Sequence, residues 1–194
     1  MKVIDSKELT QTVLAAQKGD VKALALLIET TQDRLYKFCL YLCGQRPLAQ
    51  DLCQDTYIKV LEHIHKLKKP EGFMPWLLTS AKNHYFDYLR SSAQKTLPLD
   101  PDFDLSDEAR SSEQTEQLLE LKKALGQLSA EDRLTLLLVD LEGYSYQEAA
   151  EIQGVSENAM RSRIFRARQQ LLKKIDDERN ETQGSTVSQV RSLV

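Results

Sequence analysis

The chain has 194 residues, 41% hydrophobic and 28% charged, with net charge −3, seven glycines and five prolines. That length holds one domain or two small ones with real cores, and so few helix breakers point to a nearly all-helical protein. No stretch nears the ~20 unbroken apolar residues of a membrane span, and the start, MKVIDSKELTQ, lacks a signal peptide's apolar run, so a cytoplasmic chain without membrane insertion is expected.

In chain order, a first helix is expected over Lys7–Lys18, ended by Gly19. Asp20 can cap a second, which runs to about Leu42 and stops at Gly44. Pro47 suits the first turn of a third, Leu48–Leu67. A break follows, KKPEGFM (Lys68–Met74), and Pro75 opens a fourth helix ending near Ser92. Cys39, Cys43 and Cys53 lack CxxC spacing and read as buried reduced thiols in this helical unit.

Composition then shifts. Gln94–Glu120 holds eight acidic residues, two basic ones and two prolines, which reads as an extended acidic linker. A second helical unit begins with Glu113–Leu125. Ser129 with Asp132 caps the next helix, LTLLLVDL, and Ser145 with Glu148 forms a capping box before YQEAAEIQ. Gly154 interrupts, and Ser156 caps a last helix to about Asp176, beyond which a polar, frayed tail is expected. There is no internal repeat.

The segment SYQEAAEIQGVSENAMRSRIFRARQQL reads as helix, tight turn, helix. Ala149 and Ala150 permit close crossing, and Ile152 and Val155 can fill the elbow. That is the arrangement of the DNA-reading helix-turn-helix, whose second helix enters the major groove. At about 100° per residue, Met160, Ile164, Ala167, Leu171 and Ile175 form one inward stripe. The opposite face gathers Asn158, Ser162, Phe165, Arg166 and Gln169, with Arg161 and Arg168 on one flank and Arg163 on the other. An outward Phe165 among cations suits a thymine methyl or a sugar, while arginines meet phosphates and guanine edges. Residues 161–174 hold six basic side chains and no acidic one, in an acidic chain. Positive charge so localised points to a polyanion met locally. Asn158, Arg161, Ser162, Phe165, Arg166 and Gln169 are therefore the candidate duplex-reading residues.

On these residues the chain resembles the extracytoplasmic-function (group IV) sigma factors of bacterial RNA polymerase, in the sigma-70 family. DRLTLLLVDLEGYSYQEAAEIQGVSENAMRSRIFRARQQL is similar to sigma region 4, DLCQDTYIKVLEHI to core-binding region 2.2, and FMPWLLTSAKNHYFDYLR to regions 2.3 and 2.4. The resemblance implies an all-α fold of two helical domains: region 2 over residues 1–92 and region 4 over 113–176, with a linker over 93–112 and a tail over 177–194. It implies that Asp51, Gln54, Asp55, Ile58 and Leu61 dock on the β′ clamp helices, with Tyr57 at the edge. It also implies that the Lys68–Met74 loop captures a flipped base of the downstream (−10) element. Lys68, Lys69, Gly72, Phe73, Lys82, Asn83, His84 and Arg90 are its candidate contacts; Phe73 can stack on a base or anchor the helix pair, and Arg90 can touch a strand or face solvent. Trp76 reads as core. Region 4 is implied to meet the β flap and the upstream (−35) element. The linker is either a plain tether or an acidic strand threading the polymerase cleft. An anti-sigma factor is an implied partner; no metal or cofactor is implied, and catalysis belongs to the polymerase.

Three departures from the family pattern are visible: Thr79-Ser80 replaces Arg-Ile, SSAQK replaces a basic cluster after region 2.4, and Asn158-Ala159-Met160 replaces Gly-Thr-Val. Weaker strand contacts and an altered upstream preference are expected from them. Glu157 either selects a cytosine amino group or faces solvent. The nearest rival is a conventional helix-turn-helix regulator acting without core polymerase. A helical metalloenzyme using Asp51, Asp55, His63 and His65 is a remote one, since histidines two apart on a helix diverge.

Overall fold

The computed structural model describes residues 5–91 and 120–191, with side chains to Asp177. The expected linker over 93–112 and the start of the helix at Glu113 lie outside the described residues. Described residues are helical throughout apart from turns, with no strand. The chain splits into two compact units: one holds the first four helices, the other is built from the rest, except that residues 151–154 group with the first.

In the first unit, α1 spans Ser6–Gln17 and α2 Val21–Cys43. Asp5 caps α1, accepting from Glu8 N, and Asp20 caps α2, accepting from Lys22 and Ala23 N. Such caps satisfy amides that no helical carbonyl reaches. α3 spans Arg46–His63 and closes in a 3₁₀ turn, Ile64–Lys66; a second 3₁₀ turn, Pro70–Gly72, leads into α4, Phe73–Ser91. The sequence pattern placed the end of α3 at Leu67 and the start of α4 at Pro75. The helix instead begins two residues earlier, because proline fits a helical first turn and Phe73 and Met74 are drawn into the core.

The core of this unit follows from helical spacing. Leu27, Leu35, Phe38 and Leu42 of α2, Leu52 and Val60 of α3, and Phe73, Leu77 and Tyr85 of α4 are buried. Each large side chain so enclosed contributes about 1.5–3 kcal/mol. Buried Thr31 and Thr56 return their hydroxyls to carbonyls four residues back, Leu27 O at 2.7 Å and Leu52 O at 2.6 Å. The three cysteines are free thiols, Cys39 and Cys43 buried and Cys53 half-buried.

In the second unit, residues 120–126 are helical (α5), α6 spans Ala130–Leu136 and widens into a π-helical turn, Leu137–Leu141. α7 spans Tyr146–Gln153 and α8 Glu157–Arg191, so the last helix runs past Asp176 where fraying was expected. The core joins Leu128, Leu136, Ile164 and Ala167, flanked by Leu125, Val139, Tyr146 and Leu171. Arg133 is buried, and its guanidinium donates to Gly126 O (3.0 Å) and Leu128 O (3.3 Å), satisfying carbonyls at the end of α5.

Gly154 makes the elbow of α7 and α8. It sits at φ 73°, in the left-handed region. Its N–H donates to Glu151 O (3.2 Å) and that of Val155 to Ala150 O (3.0 Å), the paired closure of a Schellman cap. Ser145 and Glu148 form the expected capping box at α7: Glu148 accepts from Ser145 N at 2.9 Å, and Glu148 N donates to Ser145 Oγ at 3.3 Å.

Candidate functional site

α8 carries the strongest surface. Its first turn is capped by Ser156 Oγ, which accepts from Ala159 N at 3.2 Å. Met160, Ile164 and Ala167 are buried, and Leu171 and Ile175 half-buried. That stripe fixes the helix rotation and turns Asn158, Ser162, Phe165, Arg166 and Gln169 to solvent, with Arg161 and Arg168 exposed beside them. Phe165 is 66% exposed. All six candidate duplex-reading residues thus lie on one outward face.

The arginines of that face differ in state. Arg166 reaches only a backbone carbonyl, Ser162 O at 3.4 Å, and has no carboxylate partner among the described residues. Arg168 donates to Asp140 on the π-helical turn, Nη2–Oδ1 2.5 Å and Nε–Oδ2 3.2 Å. That bond raises its affinity for its proton further, and the Tyr146 hydroxyl beside it adds to the effect. Arg161 donates to Glu157 Oε1 from Nη2 (2.5 Å) and Nε (3.2 Å), and its guanidinium lies 5.3 Å from the Tyr146 ring centroid. Glu157 is exposed and ion-paired with Arg161.

On α3, Asp51, Gln54, Asp55, Ile58 and Leu61 are all exposed. Ile58 and Leu61, one turn apart, are each 52% exposed. Two adjacent aliphatics left in water and bordered by acceptors make a surface fit for a protein partner. Tyr57 is half-buried beside it and shares a hydrogen bond of 3.0 Å with Thr31 Oγ1. Burial pushes its phenol up to about 12.

Between α3 and α4, Lys68 and Lys69 are exposed and Gly72 is half-exposed. Gln17 of α1, which nothing in the sequence marks, donates from Nε2 to Ile64 O (2.9 Å) and Leu67 O (2.7 Å) and so fixes the base of this loop. Phe73 is a correction: it is 0% exposed, an anchor of α4 whose face no base can reach. Its ring packs 6.1 Å from that of Trp76. Trp76 is half-buried where core was expected, since Phe73 already fills the interior. Lys82, Asn83 and His84 are half-buried and consecutive, so they fan over about 200° of helix and do not share one face. Asn83 and Arg90, seven apart, do share one; Arg90 is exposed and paired with Asp87.

Asp51, Asp55, His63 and His65 do not converge into a metal-ligand set. Among the described residues no helix is long and apolar enough to cross a membrane. Asp140, Tyr146 and Gln17 were not found from sequence. A signal existed only for Tyr146, an aromatic opening a helix directly after a capping serine.

The Sigma-70 region 2 profile matches residues 27–95, and the Sigma-70, region 4 profile matches residues 118–171. The chain is 32% identical over 171 residues to the probable RNA polymerase sigma-C factor of Mycobacterium bovis, covering 87% of this chain and 91% of that one. It is 31% identical over 141 residues to the ECF RNA polymerase sigma factor SigM of Bacillus subtilis, covering 71% and 85%. Among solved structures it is similar to the sigma factor RpoE of Bartonella quintana, crystallised with the anti-sigma factor NepR. The TM-score is 0.68 and identity 25%, over 80% of this chain and 98% of that one. CnrH, in complex with the cytosolic domain of CnrY, shares the fold at TM-score 0.67 and 22% identity, over 89% and 99%.

Proposed function

The chain belongs to the extracytoplasmic-function sigma factors of the sigma-70 family, and we propose that its two units divide promoter selection between them. As a sigma factor it directs promoter-specific initiation. In our reading α3 seats on core RNA polymerase: Ile58 and Leu61 are the apolar centre and Asp51, Gln54 and Asp55 the acceptors for a basic helical partner, the β′ clamp helices. α8 enters the major groove of the upstream element. Arg166 supplies a free cation to phosphate or guanine, Phe165 packs on a thymine methyl or sugar, and Asn158, Ser162 and Gln169 offer hydrogen bonds to base edges. Region 4 rests on the β flap. Lys68, Lys69 and Gly72, with Asn83 and Arg90, receive the separated downstream strand. The chemistry is the polymerase's, and the factor works in the cytoplasm. An anti-sigma partner, as NepR is to RpoE, would cover these same surfaces.

The carrying observation is the outward face of α8, where a 66% exposed Phe165 stands among arginines in a chain with a separate docking helix. The test is in vitro transcription with core polymerase and genomic DNA. Start sites sharing two spaced elements are expected only when the protein is added. Duplex binding without core binding would favour the conventional regulator. Arg166→Ala is expected to lower upstream-element affinity about tenfold, within the range of one lost guanine or phosphate contact, while core affinity stays unchanged.

A further inference from the structure

Glu157 is the one carboxylate in the first turn of α8, and no other acidic residue follows until Asp176. A negative charge at the lip of a DNA-reading helix opposes phosphate, so an ordinary solvated carboxylate there only weakens binding. Its geometry shows what it does instead. Oε1 accepts from both Nε (3.2 Å) and Nη2 (2.5 Å) of Arg161, one turn on. The same guanidinium lies over the Tyr146 ring at 5.3 Å. Tyr146 opens α7, and its ring packs on the core of Leu128, Leu136, Ile164 and Ala167, so the platform beneath Arg161 is itself held. Arg161 is thus held along its side edge by Glu157 of α8 and placed over the ring of Tyr146 of α7.

A guanidinium has five N–H donors in a planar fork. Glu157 takes the Nε–H and one Nη2–H. One N–H of Nη1 and the second of Nη2 stay open along the outer edge. That edge is the one that meets guanine O6 and N7 in a bidentate pair. Arg161 also lies near the N-terminal end of α8, where recognition helices meet base edges, whereas Arg168, farther along, is tied to Asp140. Exposed Glu–Arg pairs one turn apart do little for stability, so the value of this one is in orientation: an arginine already held over a ring and ion-paired loses less freedom on reading a base.

We propose that Glu157 and Tyr146 are positioning residues that preset Arg161 as a guanine reader in the upstream element. The inference rests on the sigma-factor reading and adds a specificity determinant next to the Asn158-Ala159-Met160 departure, not within it. Glu157 acts through Arg161 and touches no base.

The experiment uses holoenzyme assembled from core polymerase and the full chain, on a promoter taken from start-site mapping with its upstream element randomised. Bound sequences are compared for wild type, Arg161→Ala, Glu157→Gln, Tyr146→Leu and Tyr146→Phe. Arg161→Ala is expected to abolish guanine preference at one position. Glu157→Gln and Tyr146→Leu are expected to lower preference at that same position about fivefold, from the discrimination of a bidentate pair, leaving other positions intact. Tyr146→Phe, which keeps the ring, is expected to retain it. Glu157→Gln is also expected to bind unselected duplex more tightly, since a charge facing phosphate is gone. Full guanine preference in Glu157→Gln, or no position sensitive to Arg161→Ala, overturns the inference while the sigma-factor reading stands. Equal weakening at every position in Glu157→Gln overturns it too, as a merely structural effect. Failure of the wild type to initiate with core polymerase removes both.

Discussion

Phe165 and Phe73 both follow basic residues in the sequence, and burial separates them. Phe73 is wholly enclosed, so Phe73→Ala is expected to cost about 3–5 kcal/mol, read as a lowered urea midpoint of the first unit. Phe165 is 66% exposed, so Phe165→Ala is expected to change stability by less than about 0.5 kcal/mol while upstream-element binding falls. A large stability loss in Phe165→Ala would show the face misassigned. The capping box of α7 gives a second residue-scale expectation. Hydrogen bonds from the Ser145 hydroxyl and amide hold the Glu148 carboxyl below its ordinary value of 4.5. A carboxyl lowered on folding stabilises above the unfolded value, and that contribution disappears as pH falls through the folded one. Glu148→Ala is therefore expected to unfold at lower urea than wild type at pH 7, by about 1 kcal/mol for a lost cap. The gap between the two midpoints is expected to close in acid; a gap constant with pH would mean the carboxylate's charge plays no part.

At the scale of the element, the turn at Gly154 fixes how α8 leaves α7. A Cβ there meets nothing within 4 Å, so space is no obstacle and the left-handed φ of 73° is the whole cost. Gly154→Ala is expected to lose about 1–2 kcal/mol and Gly154→Asn less, because asparagine tolerates that conformation. Equal losses, followed by thermal unfolding, would point to packing instead. This elbow was readable in the sequence, as were both faces of α8 and the exposed face of α3, because helical periodicity and local caps involve residues within a turn or two of each other. The π-helical turn was not. It needs one extra residue in a run of leucines, LTLLLVDL, whose apolar pattern is the same for either winding. Nor were Gln17 and Asp140, whose bonds to Ile64 and Arg168 span 47 and 28 residues. Phe73 was open to both readings in sequence, since an aromatic after a basic loop suits a stacking base and a helix anchor equally. Burial resolves it.

For the whole molecule, two compact units imply that each surface can be removed without the other. The docking face proposed for α3 centres on Ile58 and Leu61, each 52% exposed, and neither side chain is part of the core. Truncating both to alanine is expected to leave the urea midpoint of the free protein within about 0.5 kcal/mol of wild type. Affinity for core polymerase is expected to fall at least about tenfold, as when an apolar centre of an interface is cut back. Binding of the isolated factor to duplex upstream element, however weak, is expected to be unchanged, because Arg166 and Phe165 belong to the other unit. The reverse pattern is expected for Arg166→Ala. If the Ile58, Leu61 double variant also lost duplex binding with its stability intact, the two surfaces would be energetically linked, and promoter reading would depend on coupling between the units rather than on two independent contacts.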